Sequence, residues 1–417
     1  MTRMILGASP QKLAMTLAMA IVIGSLAAQT TFGEKEKRYA PGVSDTEIKI
    51  GQTMPYSGPA SAYAAVGKAE AAYLKMIDEQ GGINGRRINL ISLDDGYSPP
   101  KTVEQTRKLV EQDGVAFIWQ SLGTPTNTAT QRYLNEHKIP QLFISTFASK
   151  FNDPTHFPWT MGGLGSYYTE GEIYAQYILQ HYPQGKIGVL YQNDDYGKDY
   201  IKGLRDGLGG NAAQMIVQEA SYEVTDATVD SQIVALQASG ADIFYDVSGP
   251  KFAAQAIRRA YDIGWRPVHF LNTVSSSVSA VLKPAGVEKS TGIISVISLK
   301  DPTDARWHDD PGYRDWLAWL KKYYPDGDVA DLNIVYGYTQ AQMLVHVLKA
   351  CGDDLSRENI MAQAANLHHL ALPMLLPGIT LNTSPTDYQP LKQLRMARFD
   401  GQTWQPFGDV VEAKATK

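Results

Sequence analysis

Seven loops of the sequence carry hydroxyl, glycine and aromatic residues directly after short apolar segments. Ser and Thr at a helix start can cap its free N–H groups and can also donate to a carboxylate. Together the loops predict a site for a small ligand, although each single Ser or Thr has the alternative interpretation of a simple helix cap. The loops are residues 56–58, 94–97, 120–126, 145–148, 193–197, 247–249 and 272–275.

The sequence contains none of the common hydrolase, metalloprotease or nucleotide-binding motifs. Residues 162–165 are glycine-rich, but their spacing does not match a dinucleotide-binding fingerprint. We place His368 and His369 on a helix, where neighbouring side chains point in different directions and make poor joint metal ligands. Asp94-Asp95 and Asp194-Asp195 are typical of acids that solvate turns. We therefore expect no enzyme activity, no metal and no cofactor.

The N-terminal segment has the pattern of a signal peptide, which we assign to residues 1–29. Arg3 and Lys12 precede an apolar run from Leu13 to Ala27, and no acid occurs before Glu34. The run is shorter than the ~20 apolar residues that span a bilayer. An uncleaved membrane anchor is the alternative. We expect an exported, periplasmic protein.

Composition describes a compact chain that has little attraction for nucleic acid. Hydrophobic residues make up 44% and charged residues 19%, which is typical of globular proteins. Lys and Arg total 38 against 43 Asp and Glu, with no basic block, so we exclude a nucleic-acid partner. Cys351 is the only cysteine and continues an apolar helical pattern, which predicts a buried thiol and not a nucleophile.

Short apolar strands alternate with helices from Ile48 to Leu271. This alternation predicts an α/β fold with parallel sheets covered on both faces. Two serial units of similar size meet near residue 160. In the last third, Asp400-Gly401 predicts a hairpin turn between two strands.

Several ordered motifs resemble type I periplasmic binding proteins of the Leu/Ile/Val-binding group. They are Met54 to Pro59, Asp78 to Gly85 and Asp194 to Gly197, and the likeness covers essentially the whole chain that follows the signal peptide. Residues 122–127 and 377–380 are similar to a bacterial branch associated with branched-chain amino-acid transport.

The resemblance implies two Rossmann-like lobes joined by a three-crossover hinge that closes on a solute. The crossovers would lie near Met161, Gly292 and Gly378. Lobe one would combine residues 42–161 and 292–377, and lobe two residues 162–291 and 378–417. The implied function is the solute-binding subunit of an ABC importer, whose partner is a permease in the inner membrane. A ligand-sensing receptor on the same fold is the alternative, and we expect a monomer.

The resemblance also implies how a ligand would be held. Ser145 and Thr146, with the loop from Leu122 to Thr124, would bind the ligand carboxylate, and Tyr196 would close from lobe two. The acid that pairs with an ammonium in the amino-acid binders is missing from the loop at Asn272, which leaves room for an aromatic or aliphatic carboxylate as well as an amino acid. The predicted binding residues are Tyr56, Tyr97, Leu122, Gly123, Thr124, Ser145, Thr146, Phe147, Tyr168, Tyr196, Asp246, Ser248 and Asn272.

Overall fold

The structure is a computed structural model, and it describes Met1 and residues 37–412 of the 417-residue chain. The predicted signal peptide therefore lies outside the described residues, apart from Met1. The chain divides into residues 1–37 and residues 38–417, and the second unit contains every element described below. In the part of the chain that the structure describes, no helix is long and apolar enough to cross a membrane.

The elements alternate along the chain as the sequence predicts. The strands are β1 (Arg38–Tyr39), β2 (Glu47–Met54), β3 (Arg87–Asp94), β4 (Ile118–Trp119), β5 (Gln141–Leu142), β6 (Ile187–Gln192), β7 (Ile216–Tyr222), β8 (Ile243–Val247), β9 (Val268–Leu271), β10 (Ile294–Ile297), β11 (Asp354–Leu355), β12 (Gln393–Phe399) and β13 (Trp404–Glu412). The helices are α1 (Ala64–Glu79), α2 (Pro99–Arg107), α3 (Thr124–Glu136), α4 (Tyr167–His181), α5 (Asp195–Leu208), α6 (Ala212–Met215), α7 (Asp230–Ala238), α8 (Pro250–Asp262), α9 (Lys283–Ala285), α10 (Val287–Ser290), α11 (Pro311–Tyr323), α12 (Leu332–Cys351) and α13 (Arg357–Ala364).

Lobe one is built on a parallel sheet with the strand order β3-β2-β4-β5. Ile48 and Ile50 on β2 are fully buried, which fits a strand covered by helices. Lobe two has the order β13-β12-β10-β9-β8-β6-β7 and is parallel from β10 to β7. The predicted α/β class is confirmed.

The last two strands form the predicted hairpin at the edge of the second sheet. β12 runs antiparallel to both β10 and β13. Between them, Asp400 Oδ1 accepts from the N–H groups of Gln402 and Thr403, and Gly401 has a φ of 100°. An Asp-Gly pair supplies such a turn because glycine tolerates a positive φ.

The chain crosses between the lobes at slightly different positions from those predicted. Residues 294–297 were assigned to lobe one, but as β10 they hydrogen-bond within the second sheet. Residues 378–390 were assigned to lobe two, but Leu381 pairs with Leu370 and the Tyr388 hydroxyl donates to Pro158 O. These contacts place the second and third crossovers after β10 and near Leu391. The domain limits as a whole stay a prediction.

The cysteine and the histidine pair have structural surroundings. Cys351 ends α12 in a buried position, and burial raises the pKa of its thiol to about 12, so the thiol is unreactive at neutral pH. The placement of His368 and His369 on a helix is wrong, because both lie in the irregular segment after α13. Within residues 37–412, no group of three His, Cys, Asp or Glu side chains could hold a metal.

One buried acid in lobe one leads to a stability prediction. Glu70 on α1 is fully buried, and its Oε2 accepts from Gln52 Nε2 at 2.6 Å. Burial raises the pKa of Glu70 well above its usual 4.5. The folded state therefore holds a proton that the unfolded state releases, so stability is lost as the pH rises above 4.5.

We expect Glu70→Gln to remove this loss, because a neutral amide does not titrate. The free energy of unfolding of the variant, compared with that of the wild type, should increase with pH. The increase should be up to about 1.4 kcal/mol for each pH unit above the unfolded pKa of Glu70. Urea unfolding at pH 5 and pH 8 measures the difference. A difference between the two proteins that is the same at both pH values would show that Glu70 does not titrate on unfolding.

Candidate ligand-binding site

A cleft of about 1250 Å³, including its part open to solvent, lies between the two lobes. Its walls are largely apolar and aromatic. Parallel sheets bind ligands beyond the carboxyl ends of their strands, and most of the lining residues follow strands in this way. Lobe one contributes Tyr63, Tyr97, Leu122, Thr124, Phe147 and Tyr336, and lobe two Tyr167, Glu170, Tyr196, Phe252 and Val274, among others.

The hydroxyl cradle, which we define as Gly123, Thr124, Ser145 and Thr146, lies on the lobe-one wall of the cleft. The loops after β4 and β5 meet there, because Gly123 N–H donates to Ser145 O at 3.1 Å. The two threonine hydroxyls are 2.7 Å apart. Their oxygens are therefore presented together at one point of the wall.

The cradle lies at the first turn of α3, which has no side-chain cap. Gly123 occupies the cap position with a φ of 107°, and an added Cβ would lie 2.5 Å from the Tyr97 ring. Only glycine fits there. The N–H groups of an uncapped first turn are free to bind an anion, which the helix dipole also favours.

An aromatic wall faces the cradle and continues across the lobe boundary. The Tyr167 ring packs edge-on against Tyr196 with centroids 5.0 Å apart, and Phe147 lies 5.4 Å from Tyr167. Phe147 also lies 6.0 Å from Tyr336. These rings provide an apolar environment for the body of a ligand.

Glu170 is the acid of the cleft, and it is not among the residues predicted from the sequence. It lines the cleft from the first turn of α4 and is 1% exposed. Its Oε1 accepts from the Tyr174 hydroxyl at 3.0 Å and from Thr273 N–H at 2.8 Å, and its Oε2 accepts from the Tyr200 hydroxyl at 2.8 Å. Burial raises the pKa of Glu170 to about 7, and these three donors limit the rise. Thr273 belongs to the loop where an acid was expected, so Glu170 reaches that loop from a neighbouring helix.

Eight of the thirteen predicted binding residues line the cleft. Their contact with a ligand stays a prediction, but the structure brings them together around one space. They are Tyr97, Leu122, Gly123, Thr124, Ser145, Thr146, Phe147 and Tyr196.

Two predicted tyrosines lie outside the cleft lining. The Tyr56 hydroxyl is 2.6 Å from Ser92 Oγ inside lobe one. The Tyr168 hydroxyl donates to Asp206 at 2.9 Å on the surface. Tyr168 and Tyr167 are neighbours on α4, and the helix turns Tyr167 into the cleft and Tyr168 away from it.

The other three predicted residues lie behind the lobe-two wall and contact one another. Asp246 is fully buried, accepts from the Ser248 hydroxyl and lies 3.3 Å from His269 Nε2. The Asn272 amide donates to Asp246 O at 3.1 Å and to Ser248 O at 2.8 Å. Asp195, at the start of α5, forms an ion pair with Lys150 at 2.8 Å. None of these side chains lines the cleft.

The two lobes touch at both edges of the cleft. On one edge the Tyr63 hydroxyl donates to Val274 O at 3.2 Å, and the Ser277 hydroxyl donates to Asp331 at 2.8 Å. On the other edge Ser149 N–H donates to Asp199 at 2.8 Å. The structure therefore describes an arrangement in which the cleft is narrowed by contacts between the lobes.

The family of the chain follows from comparison with known proteins. A family model described as periplasmic binding protein matches residues 47–403. Leu/Ile/Val-binding protein homolog 1 of Brucella suis is 25% identical over 342 residues, covering 80% of this chain and 84% of that protein.

Solved structures show the same fold at low sequence identity. A branched-chain amino acid ABC transporter protein from Thermus thermophilus with bound valine has a TM-score of 0.78 and 17% identity, covering 89% of this chain and 98% of that one. A fatty acid ABC transporter substrate-binding protein from Thermomonospora curvata has a TM-score of 0.73 and 22% identity, covering 89% and 95%. These relatives are substrate-binding proteins and not enzymes, and the resemblance found in the sequence is confirmed. The chain belongs to the periplasmic binding protein family.

Proposed function

We propose that this protein is the periplasmic solute-binding subunit of an ABC importer, and that its ligand is an amino acid with an aliphatic or aromatic side chain. The lobes would close around the ligand and present it to a permease in the inner membrane. The observation that carries the proposal is the hydroxyl cradle at the uncapped first turn of α3, which opens into an apolar cleft between the lobes.

The cradle fits a carboxylate because its donors come from a helix start and a hydroxyl pair, in which one threonine hydroxyl donates to the other and leaves one hydroxyl proton for the ligand. The free N–H groups and the dipole of α3 stabilise a negative charge without a neighbouring cation. Lys251 is the one cation among the lining residues, and its Nζ donates to Asp226 O at 2.9 Å. The ligand carboxylate would therefore bind at the helix start.

Glu170 supports an amino acid over a simple acid. An ammonium buried in a closed cleft needs a partner, because an unpaired charge is costly to desolvate. Glu170 is the only acidic side chain among the lining residues, and its oxygens are already oriented by three donors. The relative with bound valine has the same fold, which is consistent with this ligand class.

Closure follows from contacts that a ligand makes with both lobes. A carboxylate on Thr124 of lobe one and an ammonium on Glu170 of lobe two would connect the lobes only in the closed state. A ligand shifts a conformational equilibrium by its difference in affinity for the two states. The ligand would therefore favour the closed form that a permease recognises.

A thermal-shift panel tests the ligand class. We expect leucine, valine or phenylalanine to raise the melting temperature, because bound ligand stabilises the folded state by about 2.7 kcal/mol at 100 times its Kd. The corresponding amino-acid amides should not raise it, because they lack the carboxylate. If no free amino acid shifts the melting temperature, or if the amides shift it equally, the proposal is wrong.

A pair of threonine variants provides the control for the cradle. Thr146→Val removes a cradle hydroxyl and should lower the affinity for every carboxylate ligand by about tenfold. Thr53→Val removes a buried hydroxyl of β2 that has no hydrogen-bond partner and does not line the cleft. It should leave affinity unchanged.

A further inference from the structure

The first turn of α8 forms part of the lobe-two wall and has no side-chain cap. Gly249 occupies the cap position, and residues 249–252 line the cleft. By contrast α4, α5 and α12, which also begin at the cleft, are capped by Ser166, Asp194 and Asp331. Pro250 has no N–H group, so the free donors of this turn are the N–H groups of Lys251 and Phe252.

A second, independent feature lies on the same wall. The Tyr196 side chain is 5% exposed and lines the cleft, and its hydroxyl has no hydrogen-bond partner. Most buried hydroxyls are paired, since an unsatisfied one costs about 1–3 kcal/mol. Desolvation raises the pKa of Tyr196 well above 10, and the nearby Tyr63 and Tyr222 add to the rise. The hydroxyl is therefore protonated and able to donate.

Hydrogen bonds connect the first turn of α5, which carries Tyr196, to the start of α8. Gly249 N–H donates to the Tyr222 hydroxyl at 2.9 Å, and this hydroxyl donates to Gln192 Oε1 at 3.2 Å. The Gln192 amide donates to Asp194 at 2.6 Å, and Asp194 caps the first turn of α5. The two first turns are therefore neighbours on the lobe-two wall.

We propose that the first turn of α8 and the Tyr196 hydroxyl form a second polar subsite that binds an uncharged oxygen function at the distal end of the ligand. This inference rests on the proposed function, in which the ligand carboxylate lies on the hydroxyl cradle of the opposite lobe. A ligand of this kind would have an apolar body with a polar group at each end.

The nearby acids select an uncharged group over a second carboxylate. Asp194 Oδ1 accepts from Tyr196 N–H at 2.9 Å, and Asp246 accepts from the hydroxyl of Ser248, which precedes Gly249. A second carboxylate bound to this turn would lie near these acids behind the wall, and the cation of the turn, Lys251, is held by Asp226 O, so the repulsion between like charges would not be offset. A hydroxyl or carbonyl oxygen accepts from the helix N–H groups without that repulsion.

Calorimetric titration with matched ligands tests the subsite. The probes are phenylalanine against tyrosine, and 3-phenylpropionate against 3-(4-hydroxyphenyl)propionate, because each pair differs only by a distal hydroxyl. We expect the wild type to bind the hydroxylated member more tightly. Tyr196→Phe should reduce that preference about five- to tenfold, because it removes the donor and keeps the ring.

Tyr245→Phe is the matched control. Tyr245 is also buried in lobe two and its hydroxyl is also unpaired, but it does not line the cleft. It should keep the wild-type preference. The subsite is wrong if the wild type shows no preference, if Tyr196→Phe weakens both members equally, or if Tyr245→Phe has the same effect. Failure of all four probes to bind would overturn the subsite, and it would overturn the proposed function as well if leucine and valine also failed to bind, whereas binding without preference overturns the subsite alone.

Discussion

Replacing Glu170 by glutamine is expected to weaken the binding of amino acids by about 30-fold or more, while acids that lack the amino group keep most of their affinity. The carboxylate is 1% exposed and, among the residues that the structure describes, is the only acidic group that lines the cleft. An ammonium bound there would lose its charge partner in a desolvated site, which costs several kcal/mol. Titration with phenylalanine and with 3-phenylpropionate separates the two effects.

The pH dependence of the same site has a defined direction. The pKa of Glu170 is raised to about 7 by burial, and the hydroxyls of Tyr174 and Tyr200 face its oxygens. Protons compete with the ammonium for the carboxylate, so amino-acid affinity should fall as the pH drops below 7. The stability of the ligand-free protein changes with pH in the opposite direction. Its folded state binds a proton that the unfolded state releases, so the contribution of Glu170 to stability is lost as pH rises from 4.5 through about 7.

Glu172→Gln is the control for these measurements. Glu172 lies on the same helix two residues later and does not line the cleft. It should leave both the ligand discrimination and the pH profile of binding unchanged. An equal loss of affinity for phenylalanine and 3-phenylpropionate in Glu170→Gln would show that the carboxylate has a structural role and no ammonium to bind.

The order of strands and helices could be predicted from the sequence because it depends on local patterns. Apolar runs such as Ile243–Val247 and glycine stops such as Gly81 are readable without knowing what packs against them. The crossovers were less predictable. Ile294–Ile297 reads as a buried strand in either lobe, and only its hydrogen bonds to β9 and β12 decide which sheet it joins.

The candidate site was predictable where it depends on loops after strands and unpredictable where it depends on helix orientation. Thr124 and Thr146 follow strands of a parallel sheet, so their convergence could be expected. Tyr167 and Tyr168 are equivalent in the sequence, and only the packing of α4 buries the first and leaves the second half-buried. The sequence indicates a role for Glu170 only weakly, because the residue is simply an acid one turn after Ser166 at the start of a largely apolar helix. Its role depends on how closely α4 packs against α5.

That close packing predicts that Gly203→Ala destabilises the protein by about 2 kcal/mol and weakens ligand binding. A Cβ at Gly203 on α5 would lie 2.0 Å from Tyr168 O and 2.7 Å from Tyr168 C, both backbone atoms of α4. The helices would have to separate, and the overpacking penalty exceeds the gain in helix propensity of about 1 kcal/mol. Tyr200, one turn before Gly203, would then move from Glu170.

Gly210→Ala separates this steric effect from a general effect of replacing glycine. A Cβ at Gly210 meets no atom within 4 Å, and the residue has no positive φ, so the substitution should change stability by about 0.5 kcal/mol or less. Urea unfolding compares the two variants, and ligand titration of the folded protein follows the site. Equal stability of Gly203→Ala and Gly210→Ala would mean that α4 and α5 can accommodate an added Cβ at position 203 without separating. The distance between α4 and α5 would then not be what orients Tyr200, and with it Glu170, at the cleft.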